Sequence, residues 1–319
     1  MVIHTKVSAV VVTWNSEQDI KACLASVANQ NQKLDSIFVI DNASKDGTCD
    51  IIKNKFPQIK LIKSDKNLGF AAANNIGIEI TDSEWVLTLN PDARIEPDWV
   101  EVLLKFAQGK ERIGTLGGML YREQSEKTGD RIIDTTGIEI FSSRRVRDRG
   151  FSEIDRGQYA DDEQVFGICA AAALYRREML IDTLIDGEVF PENFFSYYED
   201  SDLAWRGWRR GWEAWYVSKA IGWHRRGGSP VGSRFSRVLT HRNRYWMIAR
   251  NEPQWKMLLS GFSFYWHEVL IFLRMLRYPY LFGTAVRTFL GIRKSARQRK
   301  SLEDSNATPP PFRKGSGVG

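Results

Sequence analysis

Short β-branched segments alternate with amphipathic helical segments over the first third of the chain, and this alternation limits the possible folds more than any other feature. Strands are predicted at residues 6–13, 36–40, 60–63 and 85–89. Helices are predicted between them, at residues 16–30, from Ser44 onward and at residues 71–80. Such alternation with short connections is typical of a parallel sheet covered by helices on both faces. We therefore predict an α/β fold with a mostly parallel central sheet flanked by helices. Farther along the chain, the charged, turn-rich residues 121–164 are predicted to leave the sheet, and the apolar residues 164–175 to return to it as one strand.

Polar residues follow three of these strands, where ligands bind in such sheets. The polar groups lie at residues 14–17, 41–44 and 90–92. A carboxylate such as Asp41 can accept the imide N–H of uracil or thymine, but Ser44 or Asp46 in the same segment also suits a helix N-cap and a turn. Both interpretations stay open for this segment taken alone.

The segment Asn90-Pro91-Asp92 holds a single carboxylate after an apolar strand. A diphosphate leaving group develops negative charge, which a divalent cation held by a carboxylate, water and phosphate oxygens neutralises. A turn with this composition is also a common structural feature. His224 is a second candidate ligand, because neutral imidazole binds Mn²⁺ well, although a single histidine is often only a surface residue. The two glycines at 227–228 suggest a loop that closes over a bound nucleotide.

Three carboxylates follow an aromatic run that ends at Tyr198, namely Glu199, Asp200 and Asp202. Adjacent acids near apolar surface raise each other's pKa, which suits a general base near neutral pH. Acidic residues also stabilise the first turn of a helix, and Arg206 has the (i, i+4) spacing for an ion pair with Asp202. We expect both roles here, with Asp202 structural and Asp200 or Glu199 chemical.

Taken together and in this order, the segments between residues 6 and 228 resemble the family 2 glycosyltransferases with the GT-A fold, and within them the rhamnosyltransferase-like branch. The matching stretches are VSAVVVTWNS, DNASKDG and NLGFAAANNIG. Many relatives carry Arg where Asn74 stands, so an Arg contact to the donor does not carry over. The resemblance implies a nucleotide site made by Thr13, Asn15, Glu17, Asp41, Asn67, Gly69, Asn74 and Asn90.

The resemblance also implies a metal site and a catalytic base. The family's DxD metal motif corresponds to residues 90–92, where its first Asp is absent, as is usual in the rhamnosyltransferase-like branch. Binding of Mg²⁺ or Mn²⁺ then rests on Asp92, with His224 as a further ligand. The family's catalytic base maps to Asp200, with Glu199 beside it. The implied enzyme is an inverting hexosyltransferase of cell-surface polysaccharide synthesis, with dTDP-rhamnose as the first choice of donor and UDP- or GDP-sugars as alternatives.

Composition divides the rest of the chain. We predict a transferase domain at residues 1–255, with a nucleotide-binding half (1–120) and an acceptor and catalytic half (121–255), then an amphipathic basic helical region (256–300) and a disordered tail (301–319). An apolar stripe along residues 258–276, followed by basic residues, suits a membrane surface, although a core helix or a dimer interface gives the same stripe. The chain contains no apolar run of about 18 residues without charges, so no membrane-spanning helix is predicted.

Cysteine usage and the N terminus bear on the compartment. Cys23, Cys49 and Cys169 are odd in number and lack CxxC spacing, which favours a reducing compartment and no structural zinc site. The first strand begins too early to leave room for a signal peptide. We expect a cytoplasmic protein, peripheral at the inner face of the cell membrane, that uses a glycan or a polyprenyl-diphosphate-linked glycan as acceptor.

Three other functional classes fit parts of the pattern. A nucleotidyltransferase normally needs a Gly-rich phosphate loop with a basic residue after the first strand, and TWNSE has neither. A non-catalytic carbohydrate- or membrane-binding protein on the same fold stays open, since only turnover distinguishes it from an enzyme. A nucleic-acid binder would line a groove with its basic residues, whereas here they gather near the C terminus, so no nucleic-acid partner is expected.

Overall fold

The computed structural model describes residues 5–123, 129–226, 233–252 and 261–300. Its strands are β1 (Val7–Thr13), β2 (Ser36–Asp41), β3 (Lys60–Lys63), β4 (Trp85–Leu89), β5 (Ala93–Ile95), β6 (Ile113–Arg122), β7 (Ile133–Thr135), β8 (Ile138–Ile140), β9 (Val146–Asp148), β10 (Glu163–Val165), β11 (Ala172–Arg176) and β12 (Glu213–His224). Its helices are α1 (Ile20–Ala28), α2 (Thr48–Lys55), α3 (Gly69–Glu79), α4 (Trp99–Ala107), α5 (Arg177–Asp182), α6 (Glu199–Arg209), α7 (Arg234–Asn251), α8 (Phe262–Arg277) and α9 (Ala285–Lys300).

One large sheet organises these elements, in the order β10-β12-β6-β11-β4-β1-β2-β3. Strands β4, β1, β2 and β3 run parallel, as the sequence predicts. Strand β11 is antiparallel to both of its neighbours, β4 and β6, so the sheet as a whole is mixed. In the parallel part Thr13 pairs with Asp41 and Val11 with Leu89, which brings the ends of β1, β2 and β4 to the same edge.

Helices cover both faces of the sheet. Every residue of β1 is buried, and its side chains alternate between a core that includes α1 and α4 and a second core that includes α3 and part of α5. This double burial explains why β1 is apolar without a polar face. A Cβ on Gly77 would lie 2.2 Å from Cγ1 of Val10, so α3 packs directly on β1. The predicted central sheet flanked by helices is confirmed.

Tertiary contacts move three of the predicted boundaries. Helix α1 begins at Ile20 and not at Ser16, because residues 15–17 bond to the loop after β2. Helix α2 begins at Thr48 rather than Ser44, since Asp46 accepts hydrogen bonds from the backbone and hydroxyl of Thr48. The single strand expected at residues 164–175 is two strands, β10 and β11, interrupted at the edge where β1, β2 and β4 end.

The C-terminal helices pack on one another beside α6. Trp246 of α7 donates its indole N–H to the carbonyl of Thr288, and Arg250 bonds to Gln298 of α9. Helix α8 touches α7 through Glu268, which accepts from the Tyr245 hydroxyl at 2.6 Å. Across the described parts of the chain, no helix combines the length and the apolar character needed to cross a membrane. The predicted tail at 301–319 lies outside the described residues.

Candidate active site

The loops after β1 and β2 are joined by hydrogen bonds. The backbone N–H of Asn15 donates to the Ser44 hydroxyl at 2.9 Å, and Asn15 Oδ1 accepts from the backbone of Lys45 at 2.7 Å. The Glu17 carboxylate accepts the backbone N–H of Gly47 at 3.1 Å. The side chains of Asn15 and Glu17 therefore shape this edge of the sheet, and their contact with a nucleotide stays a prediction.

Thr13 and Asp41 leave buried oxygens at the ends of two paired strands. The two residues are register partners, and both are at least 98% buried. Asp41 Oδ2 accepts from the backbone of Ser44 at 3.2 Å. Thr13 Oγ1 and Asp41 Oδ1 have no hydrogen-bond partner in the described part of the chain. Buried polar atoms are rarely left unsatisfied, so these two oxygens are suited to receive donors from a ligand.

The polar residues of the segment 67–77 stabilise the helix that they belong to, α3. Asn67 Oδ1 accepts the backbone N–H of Gly69 at 2.9 Å, and Asn74 Nδ2 donates to the Phe70 carbonyl at 2.9 Å inside α3. Gly69 has a positive φ of 86°, and a Cβ there would lie 2.5 Å from the Phe195 carbonyl oxygen. Only glycine fits this position. These contacts are structural, and the predicted role of Asn67, Gly69 and Asn74 in donor binding stays a prediction.

Asp92 and His224 meet although they are far apart in sequence. Strand β5 pairs with β12 so that Ala93 lies opposite His224, and the backbone N–H of Arg225 donates to the Asp92 carbonyl at 2.9 Å. His224 Nε2 lies 3.2 Å from Asp92 Oδ1, and both side chains are nearly buried. On the other side of the ring, His224 Nδ1 lies 2.9 Å from Oδ2 of Asp134. Burial alone would lower the pKa of His224, but the hydrogen bonds to Asp134 and Asp92 raise it to about 9.

This pair fits two positions around a divalent cation. Two adjacent ligands of an octahedral ion, each at about 2.1 Å, are about 3 Å apart, close to the observed separation. A carboxylate and an imidazole are a suitable donor set for Mn²⁺. Across the described ranges, no group of three or more Cys, His, Asp and Glu residues is arranged to hold a metal ion. An ion bound by Asp92 and His224 would therefore take its other ligands from water and phosphate, as Mg²⁺ and Mn²⁺ often do.

A partly buried series of charged side chains leads from His224 towards Asp200. Arg226, at a positive φ of 52°, donates from Nε to Asp134 and from Nη2 to Asp148 Oδ2 at 2.6 Å. Burial raises the pKa of Asp148 despite the nearby guanidinium of Arg226. Sequence reasoning missed Asp134 and Asp148, because it treated residues 121–164 as an excursion from the sheet, and it gave no role to Arg226. The one available signal was an acidic residue, Asp134, inside the apolar strand-like stretch IIDTT.

The Asp200 carboxylate lies at the break between β10 and β11. Its Oδ2 accepts the backbone N–H of Ala170 at 3.4 Å, while Oδ1 accepts from the backbone and hydroxyl of Ser201 at 2.6 and 3.0 Å. Burial and the charge of Asp148 raise the pKa of Asp200, partly opposed by these hydrogen bonds. Burial and the neighbouring Asp200 also raise the pKa of Glu199 well above its usual value.

The loop that precedes β11 brings Asp92 and Asp200 to the same edge of the sheet. The carbonyl of Ala171 accepts the backbone N–H of Asn90 at 2.9 Å, and the next residue back along the chain, Ala170, contacts Asp200. Asp92 follows Asn90 by two residues. Asp200 and Asp92 therefore approach the same edge of the sheet, together with Thr13 and Asp41 at the ends of β1 and β2. The two glycines expected to form a closing loop after His224 lie outside the described residues.

Asp200 follows a strained stretch of backbone. Phe195, Tyr197 and Tyr198 have positive φ angles of 67°, 72° and 73°. The buried side chain of Asn243 donates to the carbonyls of Phe194, Ser196 and Tyr197 at 2.9, 2.9 and 2.8 Å. Left-handed non-glycine residues persist only where surrounding structure enforces them. Sequence reasoning missed Asn243, since nothing in the polar face of α7 distinguishes it from its neighbours.

Asp202 has the structural role expected of it. Its Oδ2 accepts from Nε of Arg206 at 2.9 Å, and both side chains are fully buried. Its Oδ1 accepts from Nη1 of Arg250 at 2.8 Å and from Asn251 at 3.0 Å. The predicted ion pair between Asp202 and Arg206 is confirmed within α6, and the contacts of Asp202 with Arg250 and Asn251 tie α6 to α7.

Residues 8–184 match the family described as Glycosyl transferase family 2. Over 276 residues the chain is 26% identical to the N-acetylglucosaminyl-diphospho-decaprenol L-rhamnosyltransferase of Mycobacterium tuberculosis, in an alignment that covers 77% of this chain and 85% of that protein. It is 32% identical over 111 residues to the cholesterol galactosyltransferase of Borreliella burgdorferi, which covers 34% of this chain and 31% of that one.

Two solved structures are similar in fold. Residues 1–349 of TarS from S. aureus superpose with a TM-score of 0.52 at 19% identity, covering 78% of this chain and 67% of that one. The mannosyltransferase PcManGT from Pyrobaculum calidifontis, solved in complex with GDP-Man and Mn²⁺, gives a TM-score of 0.55 at 16% identity, covering 94% and 74%. Both are GT-A glycosyltransferases, which confirms the predicted fold class.

Proposed function

Because the chain belongs to glycosyl transferase family 2, we propose that it transfers a hexose from a nucleotide-sugar to a glycan acceptor with inversion at the anomeric carbon. Its place among the hexosyltransferases rests on the family, and the mechanism rests on one observation. The Asp92–His224 pair and the Asp200 carboxylate approach one edge of the sheet. Contacts through Asp134 and Arg226 lead from His224 to Asp148, whose charge raises the pKa of Asp200. A non-catalytic carbohydrate- or membrane-binding protein needs no such arrangement.

The nucleotide binds at the ends of β1 and β2 in this proposal. Asp41 Oδ1 and Thr13 Oγ1 are buried without a partner in the described residues, and a uracil or thymine ring supplies an imide N–H donor to such a carboxylate. Its diphosphate then extends towards Asp92. We take dTDP-rhamnose as the donor to test first, because the relative with 26% identity over 276 residues is a rhamnosyltransferase. UDP- and GDP-sugars are the alternatives.

Asp92 and His224 hold the divalent cation, Mg²⁺ or Mn²⁺. When bound, the ion supplies positive charge that offsets the charge developing on the departing nucleoside diphosphate. The side chains contribute one carboxylate and one imidazole, with Nε2 and Oδ1 already close together. The hydrogen bond to Asp134 holds the other ring nitrogen, Nδ1.

Asp200 acts as the general base. It takes the proton of an acceptor hydroxyl while that oxygen forms a bond to the anomeric carbon, and the bond from this carbon to the diphosphate breaks on the opposite face. Burial and Asp148 raise the pKa of Asp200, which makes the carboxylate a better proton acceptor. Burial and the neighbouring Asp200 raise the pKa of Glu199 well above its usual value, which favours its neutral form beside the base. The anomeric configuration of the product should be opposite to that of the donor, and NMR of the product tests this.

The acceptor is a lipid-linked glycan in this proposal, and α8 is the surface that meets its membrane. Eight large apolar side chains occupy an arc of about 160° on α8, and all are exposed: Phe262, Tyr265, Trp266, Val269, Leu270, Phe272, Leu273 and Leu276. The opposite side carries Phe264, only 6% exposed, and Glu268, which pairs with Arg244. The predicted stripe thus faces solvent rather than the core. Leu258, which the sequence adds to this stripe, lies outside the described residues.

Charge favours an anionic lipid surface as the occupant of this face. The helix that follows, α9, carries Arg293, Lys294 and Arg297 and no acidic residue. Apolar residues beside basic ones bind the headgroup region of anionic bilayers. The protein would then work at the cytoplasmic face of the membrane. A second copy of the chain, as a homodimer, is the competing occupant.

Flotation with lipid vesicles distinguishes a membrane surface from a second copy of the chain as the partner of the exposed face of α8. The full-length protein should float with phosphatidylglycerol vesicles and less with phosphatidylcholine vesicles. The double variant Trp266→Glu, Leu273→Glu should remain at the bottom, whereas the control Ile181→Glu, at an exposed apolar residue of α5, should still float. A wild-type protein that fails to float and instead forms a dimer that the double variant abolishes would replace the membrane with a second copy.

A donor screen tests the proposed reaction. The purified protein is incubated with dTDP-, UDP- and GDP-sugars, a polyprenyl-diphosphate-linked glycan and either Mg²⁺ or Mn²⁺, and nucleotide release is measured. One donor should give acceptor-dependent release that EDTA abolishes. Binding of a nucleotide-sugar without release under any of these conditions would favour the non-catalytic alternative.

A further inference from the structure

Asp134 has no direct part in the proposed reaction, yet it is among the most completely enclosed carboxylates of the described chain. Its side chain on β7 is fully buried. Oδ2 lies 2.9 Å from His224 Nδ1, Oδ1 accepts from Nε of Arg226, and Nε of Arg122 lies 3.8 Å away. Two guanidinium groups thus offset its charge. Besides these two guanidinium groups, Asp134 contacts the imidazole of His224.

The geometry of the ring explains what Asp134 does there. A histidine that binds a cation through Nε2 must carry its hydrogen on Nδ1. A carboxylate that accepts this hydrogen selects the correct tautomer and fixes the plane of the ring. In this protein Nε2 points to Asp92 at 3.2 Å while Nδ1 is held by Asp134. Strand β7 thereby sets the direction of a side chain that lies 90 residues later.

We propose that Asp134 is a positioning residue for the divalent cation, acting through His224. It holds Nε2 of His224 towards the ion and keeps the imidazole in the tautomer that binds it. Arg226 and Arg122 hold the Asp134 carboxylate in place. This inference rests on the proposed cation site at Asp92 and His224.

The test compares Asp134→Asn with a matched control, Asp155→Asn. An asparagine at 134 has the same shape but can donate an N–H to Nδ1, which favours the wrong tautomer. Asp155 bonds the hydroxyl of Tyr121 on the neighbouring strand at 2.5 Å and does not touch His224. Mn²⁺ binding is measured by electron paramagnetic resonance with saturating UDP. Loss of such an outer carboxylate typically costs about 10–100-fold in metal affinity, so we expect this loss for Asp134→Asn and less than a twofold change for Asp155→Asn.

The same substitution made in the His224→Ala variant distinguishes a positioning role of Asp134 from a purely structural one. In His224→Ala, the substitution Asp134→Asn should cause no further loss of Mn²⁺ affinity, because the residue through which it acts is gone. Thermal unfolding of each variant reports stability separately. Unchanged affinity in Asp134→Asn, or an equal loss in the His224→Ala background, would overturn the inference. A wild-type protein that binds no Mn²⁺ with UDP, dTDP or GDP would instead overturn the cation site itself, and with it this inference.

If Asp134→Asn fails to fold, a measurement on the wild-type protein still tests the proposal. With Mg²⁺ and UDP bound, ¹⁵N NMR of the His224 ring should show the hydrogen on Nδ1. A hydrogen on Nε2 would contradict the proposed role of Asp134.

Discussion

Replacing Asn243 with alanine should both destabilise the protein and slow turnover. The Asn243 amide is fully buried and donates to the carbonyls of Phe194, Ser196 and Tyr197, in the segment at residues 194–198 that contains the residues with positive φ. A typical hydrogen bond contributes about 1 kcal/mol net, and a buried carbonyl left without a donor costs about 1–3 kcal/mol. Some of the freed carbonyls can relax towards other donors. We therefore expect the free energy of unfolding to fall by about 2–4 kcal/mol.

Turnover should fall as well, because the segment leads directly into Glu199 and Asp200. Without Asn243, the residues with positive φ can return to the commoner regions of backbone space, and Asp200 moves with them. A displacement of about 1 Å in a reacting group can cost about 10²-fold in rate. The assay is nucleotide release per folded molecule, at a temperature and urea concentration where both proteins remain folded.

Asn75→Ala is the matched control. Asn75 also bonds backbone in the same region, donating to the Phe190 carbonyl at 2.8 Å and accepting the Phe190 N–H at 2.9 Å. It does not touch the left-handed residues, so its loss should reduce stability but not turnover per folded molecule. If Asn243→Ala kept the stability of the wild type, the hydrogen-bond argument would be refuted. If both variants lost turnover equally, the special role of the segment would be refuted.

Three further predictions follow from buried charges. Asp202→Asn leaves Arg206 and Arg250 without their buried partner, and urea unfolding should show a loss of about 3–5 kcal/mol; a loss below about 1 kcal/mol would contradict the network. Asp148→Asn removes a negative charge that raises the pKa of Asp200. Because only deprotonated Asp200 accepts a proton, the acid limb of the turnover profile should move to lower pH, and a shift to higher pH would contradict the assignment. Asp92→Ala should abolish the metal-dependent part of nucleotide binding in calorimetry, and an unchanged metal requirement would remove Asp92 from the site.

The parts of this structure that follow local rules could be predicted from the sequence. Strand β1 is mostly apolar because it is buried on both faces, and the polar residues after β1, β2 and β4 lie at one edge because parallel strands end together. The spacing of Asp202 and Arg206 on one helix face predicts their ion pair directly. Asp92 and His224 were both singled out by residue type, and the structure places them in contact.

The remaining features depend on contacts between distant segments. Asp134 lies 90 residues before His224 and Asn243 lies 46 residues after Tyr197, so no local pattern connects them. Helices α1 and α2 begin later than the sequence suggests, because Ser44 accepts from the loop after β1 and Asp46 accepts from both that loop and Thr48. The stripe on α8 shows the limit most clearly, since its spacing is the same whether the face is buried or exposed.

The most direct test of the account is the turnover of Asp200→Asn with nucleotide affinity measured in parallel. The amide cannot take the acceptor proton, so turnover should fall by about 10²–10⁴-fold while the dissociation constant of the nucleoside diphosphate changes less than about threefold. Turnover equal to that of the wild type would show that Asp200 is not the base, and the proposed mechanism would fail.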